Sequence, residues 1–367
     1  MRGLYVHLPF CLKKCSYCDF VSYENCYSYE SAYVKALLKE FSAYRGEEID
    51  TVYLGGGTPT SLKTESLVAL LSGIRQTFCV AKDAEITVEC NPKTADKDKF
   101  SQLLSHGVNR LSIGVQSFDD DVLKTIGRVH TADDAKKCIE DAKEAGFCNI
   151  SADLMFGIPG QSVSSVQESV AYLAKLPVCH ISCYGLILEE QTPLFNGVES
   201  GLLVLPDEDT ELLMYRTITA ELAKAGFYQY EISNYAKSGY ESRHNLKYWD
   251  AVEYIGCGAG AHSYFQVVRF CHSADLDVYL KNPLLRCEEE AILPDEQMKE
   301  FMILGLRRSC GVSRQEFSAR FSKELDACFG EVVEHFVFLG LLESNGDVVR
   351  FTEDGMYVSN TVLCELM

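Results

Sequence analysis

The chain has 367 residues and carries 53 acidic side chains against 34 basic ones, a net charge of −19. Such a balance argues against a nucleic-acid binder or a protein held on an anionic membrane, both of which need clustered cations. With 47% hydrophobic and 24% charged residues it has the composition of a folded protein long enough for two domains, and no run approaches the roughly 18–20 apolar residues of a membrane span.

Met1–Phe10 has neither the length nor the small-residue cleavage site of a signal peptide, so a cytoplasmic protein is expected. Short β-prone runs follow at Leu4–Leu8, Thr51–Leu54, Ile86–Glu89, Leu111–Val115, Ile150–Met155 and Ile181–Leu186. Between them Ser28–Tyr44, Thr64–Thr77, Ala132–Ala145 and Val163–Ala174 have helical periodicity. This alternation predicts a parallel sheet with right-handed crossovers, and several of the strands read as buried on both faces. Gly107, Gly146 and Gly226 each follow a helical pattern and read as C-terminal caps. Six such units are too few to close an eight-stranded barrel. The expectation is an α/β fold, an incomplete, open (β/α)6 barrel over residues 1–190, with a doubly wound sheet as the alternative.

After Leu188 the rhythm changes. A long helix is expected over Asp207–Ala225, then a Tyr-rich and Gly-rich stretch to about Phe270, within an accessory region at 191–290. From Asp295 onward come short helices and then Asn345-Gly346, a hairpin signal between the apolar runs Leu339–Leu342 and Val348–Phe351. Helices followed by a small hairpin predict a winged-helix-like, α+β C-terminal domain at 291–367. Without a basic patch it reads as a lid or docking surface.

Sixteen cysteines in a long chain with no export signal read as mostly reduced thiols, and isolated ones such as Cys138 and Cys328 as small buried apolar groups. One group stands apart. Cys11, Cys15 and Cys18 lie in a C-x-x-x-C-x-x-C run just after the first strand. Thiolates suit zinc and iron–sulfur clusters alike, and either normally takes four protein ligands. Three thiolates on a 4Fe-4S cluster would leave one iron open for a substrate or cofactor. A zinc site would need a fourth ligand such as His7.

Gly55-Gly56-Gly57-Thr58-Pro59-Thr60 follows the second strand, where glycines let backbone approach a ligand, but it matches neither phosphate-loop pattern. Glu89 ends the third strand, Gln116 ends the fourth, and Asp153 lies on the fifth before Gly157-Ile158-Pro159-Gly160. Together they put polar side chains at the C-terminal strand ends, where sites in (β/α) barrels are found.

The cysteine run, with Tyr17 before its third Cys, resembles that of radical S-adenosylmethionine (SAM) proteins. Tyr5-Val6-His7-Leu8-Pro9-Phe10-Cys11 narrows the resemblance to the coproporphyrinogen dehydrogenase-like branch. The resemblance implies a 4Fe-4S cluster on Cys11, Cys15 and Cys18, whose open iron chelates SAM and which, when reduced, cleaves it to a 5′-deoxyadenosyl radical. It also implies SAM contacts from Tyr5, Tyr17, Phe20, Gly56, Gly57, Thr58, Glu89, Gln116, Arg128 and Asp153. The dehydrogenases carry a further Cys two residues after the third cluster Cys, where this chain has Phe20.

His244-Asn245-Leu246-Lys247-Tyr248-Trp249 instead resembles the H-N-x-x-Y-W motif of HemW-type heme chaperones, as does the stretch Tyr254–Ser263. On that reading His244 is the heme ligand, and Tyr248 and Trp249 offer flat walls to the porphyrin. Gly256–Ala261 superficially matches a dinucleotide fingerprint but lacks the βαβ setting. The resemblance therefore implies a heme chaperone with a 4Fe-4S cluster, SAM and heme as cofactors. Its partners would be heme-recipient proteins, an electron donor if SAM is cleaved, and no nucleic acid. The cluster and SAM then serve assembly or regulation rather than turnover. The competing expectation is an oxygen-independent coproporphyrinogen III oxidase that decarboxylates propionates.

Overall fold

Arg110-Leu111-Ser112-Ile113-Gly114-Val115-Gln116 alternates polar and apolar residues, and that alternation organises the fold. In the computed structural model, which describes residues 1–367, Leu111, Ile113 and Val115 face a layer of helices while Arg110, Ser112, Gly114 and Gln116 face an interior cavity. Six strands repeat the theme: β1 (Arg2–Leu8), β2 (Glu48–Gly56), β3 (Cys79–Cys90), β4 (Arg110–Gln116), β5 (Asn149–Phe156) and β6 (His180–Gly185). They pair in parallel and in sequence order. The helices α1 (Glu30–Phe41), α2 (Thr64–Thr77), α3 (Lys97–Ser105), α4 (Ala132–Glu144) and α5 (Val163–Leu173) make the crossovers. Their apolar stripes, among them Leu70, Phe100, Ile139 and Val170, close the core over the outer face of the sheet.

This is the open (β/α)6 arrangement. A doubly wound sheet would reverse its strand order part-way, and this one does not. The strands are buried on both faces as expected, every residue of β4 among them, but their inner face is polar because it lines a cavity. Gly107, Gly146 and Gly226 follow helix ends as expected, each with positive φ.

The region 191–290 is not a separate layer. Helix α6 (Glu208–Lys224) packs on α5, and its Met214, Ile218 and Leu222 join the same core as Leu4 and Val6. Strands β7 (Tyr228–Glu231) and β8 (Asn234–Ala236) extend the sheet beyond β6, with β8 antiparallel to it. Beyond β1 come β9 (Tyr254–Cys257), parallel to β1, then β10 (His262–Phe265), β11 (Val268–Cys271) and β12 (Cys287–Ala291). The result is one twelve-stranded sheet, β12-β11-β10-β9-β1-β2-β3-β4-β5-β6-β8-β7. Helix α7 (Arg243–Trp249), between β8 and β9, carries the His-Asn-Leu-Lys-Tyr-Trp motif. No helix is long and apolar enough to cross a membrane.

The C-terminal unit runs α8 (Pro294–Leu306), β13 (Val312–Ser313), α9 (Arg314–Phe321), α10 (Leu325–Phe338), β14 (Leu342–Asn345) and β15 (Val348–Phe351). Its three-stranded sheet, β13-β15-β14, and a core of its own around Met302, Phe317, Leu325 and Val349 make a winged-helix arrangement. The hairpin turn is Gly346-Asp347, with Asn345 opposite Val348. The first arm starts at Leu342 rather than Leu339, because α10 continues to Phe338.

Candidate cofactor site

A single cavity of about 540 Å³ opens at the C-terminal ends of the strands and reaches down into the barrel. Cys11, Cys15 and Cys18 all line it. The loop that carries them is clasped at both ends. Phe10–Cys11 pairs with Tyr23–Glu24, while the Ser16 N–H donates to the Ile126 carbonyl (3.0 Å) and the Ser16 hydroxyl to that of Thr125 (3.1 Å). The Cys18 N–H closes a turn on the Cys15 carbonyl at 3.2 Å.

The Gly55–Thr60 turn braces this loop from beneath. The Gly57 N–H donates to the Leu8 carbonyl (3.0 Å) and the Thr58 N–H to that of Phe10 (2.8 Å). A Cβ on Gly57 would lie 2.7 Å from the Phe10 nitrogen, so only glycine lets the two backbones meet. Gly56 has φ +106°, and a Cβ there would lie 2.3 Å from the His7 ring. These glycines also line the cavity with Thr58, yet close backbone packing alone already requires them.

The strand-end polar groups converge as the sequence suggested. Glu89 accepts from the Tyr53 hydroxyl (2.9 Å) and the Gly56 N–H (3.1 Å), and burial pushes its carboxyl up to about 7. Asp153 accepts from Ser112 (3.2 Å), and burial raises it to about 6. A register shift between Gly114 and Gln116 leaves Gln116 at φ +68°, and its side chain takes a hydrogen bond from the Tyr184 hydroxyl at 2.9 Å. Arg128 donates to Asn91 (2.7 Å), to the Gly114 carbonyl and to the Cys15 sulfur (3.4 Å), tying the cysteine loop to β4. Tyr17 lines the same wall, and Phe20 stands on the rim, 65% exposed.

Two sequence-predicted residues are not on the cavity wall. Tyr5 lies beside Tyr53, its hydroxyl 2.8 Å from Nδ1 of His7. His244 is the larger correction. It is 1% exposed, its Nδ1 is 2.8 Å from the Thr51 hydroxyl and its Nε2 3.0 Å from that of Tyr248. Burial lowers its pKa to about 3, so it is a neutral core histidine with no free nitrogen for iron. The motif reaches the cavity through Asn245 instead. Trp249 stacks under the Arg307 guanidinium at 5.5 Å rather than facing the cavity.

The donor set fits a cluster better than a zinc ion. No three His, Cys, Asp or Glu side chains converge on one ion position, whereas three thiols ring one cavity. His7, the fourth zinc ligand considered, has both ring nitrogens engaged, by Tyr5 and by the Val21 carbonyl at 2.8 Å each. Three separated thiols with no fourth protein ligand suit three irons of a 4Fe-4S cluster. Sequence reasoning missed Tyr53, Asn91, Arg110, Ser151, Tyr184 and Asn245 on the wall. For Arg110, Ser151 and Tyr184 the signal was the polar period of two along β4, β5 and β6, which marks an interior face.

Residues 5–173 match the Radical SAM superfamily and residues 292–358 the HemN C-terminal domain. The fold is similar to that of coproporphyrinogen III oxidase (HemN) from Escherichia coli, a radical SAM enzyme, with a TM-score of 0.87 at 21% identity, covering 99% of this chain and 89% of that one. In sequence the chain is 38% identical to the heme chaperone HemW of Bacillus subtilis, over 99% of this chain and 98% of that protein. It is 34% identical to HemW of Escherichia coli, over 98% and 97%. With this likeness running through barrel and C-terminal unit alike, the chain belongs to the HemW family of the radical SAM superfamily.

Proposed function

We propose that this protein is a heme chaperone, binding heme beside a barrel that holds a 4Fe-4S cluster and SAM and passing the heme to recipient proteins in the cytoplasm. The observation that carries the reading is the 38% identity to a heme chaperone over 99% of the chain. The cavity rim supports it. Phe20 occupies the position where the resemblance would put a further Cys in a dehydrogenase, and Ile187, 72% exposed, adds a second apolar side chain at the mouth. A flat, largely apolar porphyrin needs surface of that kind.

On this reading Cys11, Cys15 and Cys18 would hold the cluster, which supplies one-electron chemistry toward bound SAM when an electron donor reduces it. Glu89, Gln116, Arg128 and Asp153 would bind and orient SAM. Arg128 would also keep the Cys15 side of the loop in place.

The test is a heme titration of anaerobically purified protein, followed by incubation with coproporphyrinogen III, SAM and a reductant. Stoichiometric heme binding without protoporphyrinogen IX is the expected result. Efficient turnover without heme binding would make the protein a dehydrogenase.

A further inference from the structure

The hairpin beside the cysteine loop has a feature that neither cluster nor SAM explains. β9 runs parallel to β1, so the turn at 258–261 reaches the same end of the sheet as the cysteines. A Cβ on Gly260 would lie 2.9 Å from the Val21 side chain, and Val21 adjoins the rim residue Phe20. His262 opens β10 directly after this turn. Gly256 is the register partner of Tyr5, and a Cβ there would lie 2.0 Å from the His262 carbonyl oxygen. The His262 main chain thus crosses the sheet on the face that carries Tyr5 and His7, opposite the helix layer. Its ring is close enough to His7 for the two imidazoles to interact electrostatically.

The chain has eight histidines, and the other seven are spent or misplaced. His7, His180, His244 and His272 are engaged at both ring nitrogens. His130 is 4% exposed, with Nε2 3.0 Å from the Val115 carbonyl. His106 closes α3, at the opposite end of the barrel from the cysteines, and His335 belongs to α10 of the C-terminal unit. His262 is exposed, and its ring has no hydrogen-bond partner.

Residues directly opposite one another in a sheet share a face, so His262, Cys271 and Cys287 stand in a row across β10, β11 and β12. They do not converge on one ion position, which suits no zinc ion. Heme iron is different, because the porphyrin supplies four nitrogens and a single protein donor completes the binding. Cys271 is buried, so the imidazole is the donor of this row that a broad planar ligand can reach. Phe20 offers that ligand apolar surface on the neighbouring loop.

We infer that His262 is the axial ligand of heme, which is held at the mouth of the barrel on the Phe20–Val21 side of the cysteine loop; the inference rests on the heme-chaperone reading above. A single ligand from an exposed side chain leaves the opposite porphyrin face open. A donor from the recipient protein binds iron there before the bond to His262 breaks, so the heme is handed over without passing through water.

The experiment uses full-length protein with its cluster in place, ferric heme as the probe, and difference spectra in the Soret region. Wild type is expected to show five-coordinate iron with one histidine. His262→Ala shifts that band and weakens heme binding, and imidazole added to the solution restores the band. Because His262 is exposed, the variant keeps its melting temperature, cluster iron and SAM affinity; loss of any of these would make the residue structural and overturn the proposal. Cys271→Ala, His106→Ala and His335→Ala are expected to give wild-type spectra. A shift in one of these, with none in His262→Ala, would place the ligand elsewhere and overturn it. Heme bound with an unchanged spectrum in all four variants would overturn it and leave the chaperone reading standing. A shifted band in His262→Ala that imidazole fails to restore would mark an indirect effect and overturn it too. Absence of heme binding by wild type would overturn both readings.

Discussion

Nδ1 of His244 lies 2.8 Å from the hydroxyl of Thr51, and this contact fixes the first turn of α7 under β2. The His244 N–H adds a bond to Glu85 (2.9 Å), and its ring stacks on Tyr53 with centroids 5.2 Å apart. His244→Ala would leave two buried hydroxyls without partners and a cavity under β2. A stability loss of about 2–4 kcal/mol is expected in chemical denaturation. The absorption spectrum of bound heme should not change. A shifted spectrum with unchanged stability would restore His244 as the heme ligand. His272 is also committed, to Glu40 and the Leu285 carbonyl, whereas His262 is exposed, so replacement of His262 is the useful comparison.

Replacing Cys11, Cys15 or Cys18 by Ala should abolish stable cluster incorporation, read as iron and sulfide per chain after anaerobic reconstitution. Cys138→Ala should keep full iron content, since its sulfur lies 3.8 Å from that of Cys90 in the helix-facing core. Stoichiometric zinc in protein made with ample iron would contradict the cluster assignment.

Gly57→Ala should act on the cluster through the backbone. Its Cβ would lie 2.7 to 2.8 Å from three backbone atoms of Leu8 and Phe10, none of which can swing aside. The expected cost is about 1–3 kcal/mol, with lowered iron occupancy because the displaced strand end carries Cys11. Gly330→Ala, inside α10 with its nearest neighbour atom at 3.6 Å, is the control and should be neutral or slightly stabilising.

Asp153→Ala should weaken SAM binding by about 10- to 150-fold in calorimetric titration, the loss of one hydrogen bond to a charged group, with cluster content unchanged. Unaltered affinity would make the carboxylate a partner of Ser112 alone.

Burial raises Glu89 to about 7 and Asp153 to about 6. The ligand-free folded protein thus holds protons that the unfolded chain has released by about pH 5. Their contribution is fully present below the unfolded carboxyl range and is lost as pH rises through 6 to 7. Glu89→Gln stays neutral throughout, so its stability relative to wild type should grow over that interval. Melting temperatures of both proteins across it check this, and a constant difference would mean that Glu89 is ionised at all of them.

The six barrel strands were legible because each combines a β-branched or Leu-rich outer face with a turn signal at its end, as Ile150–Met155 does. The cysteine loop was legible from spacing alone. What stayed hidden has physical causes. Strands β7 to β12 are three to five residues long, and β12 (Cys-Glu-Glu-Glu-Ala) is mostly exposed and charged, so neither periodicity nor apolar content marks them. Arg110 was invisible because an arginine at a strand start looks like an exposed charge until a sheet curls round it. His244 was misread because a helix motif does not reveal which of its side chains faces the barrel. Here Asn245 does, and His244 is spent on Thr51 and Tyr248.

The strand that carries the cysteine loop sits between neighbours made at very different times. β2 pairs with β1 early, but the other side of β1 is covered only by Tyr254–Cys257. While the chain is being synthesised, β1 is therefore a bare hydrogen-bonding edge, open to wrong partners until nearly all of the barrel has emerged. Leu194 then adds its own tether, its N–H donating to the Ser16 carbonyl at 2.8 Å. The cysteine loop therefore reaches its final setting only when chain far downstream of it, Leu194 and then Tyr254–Cys257, has taken its place.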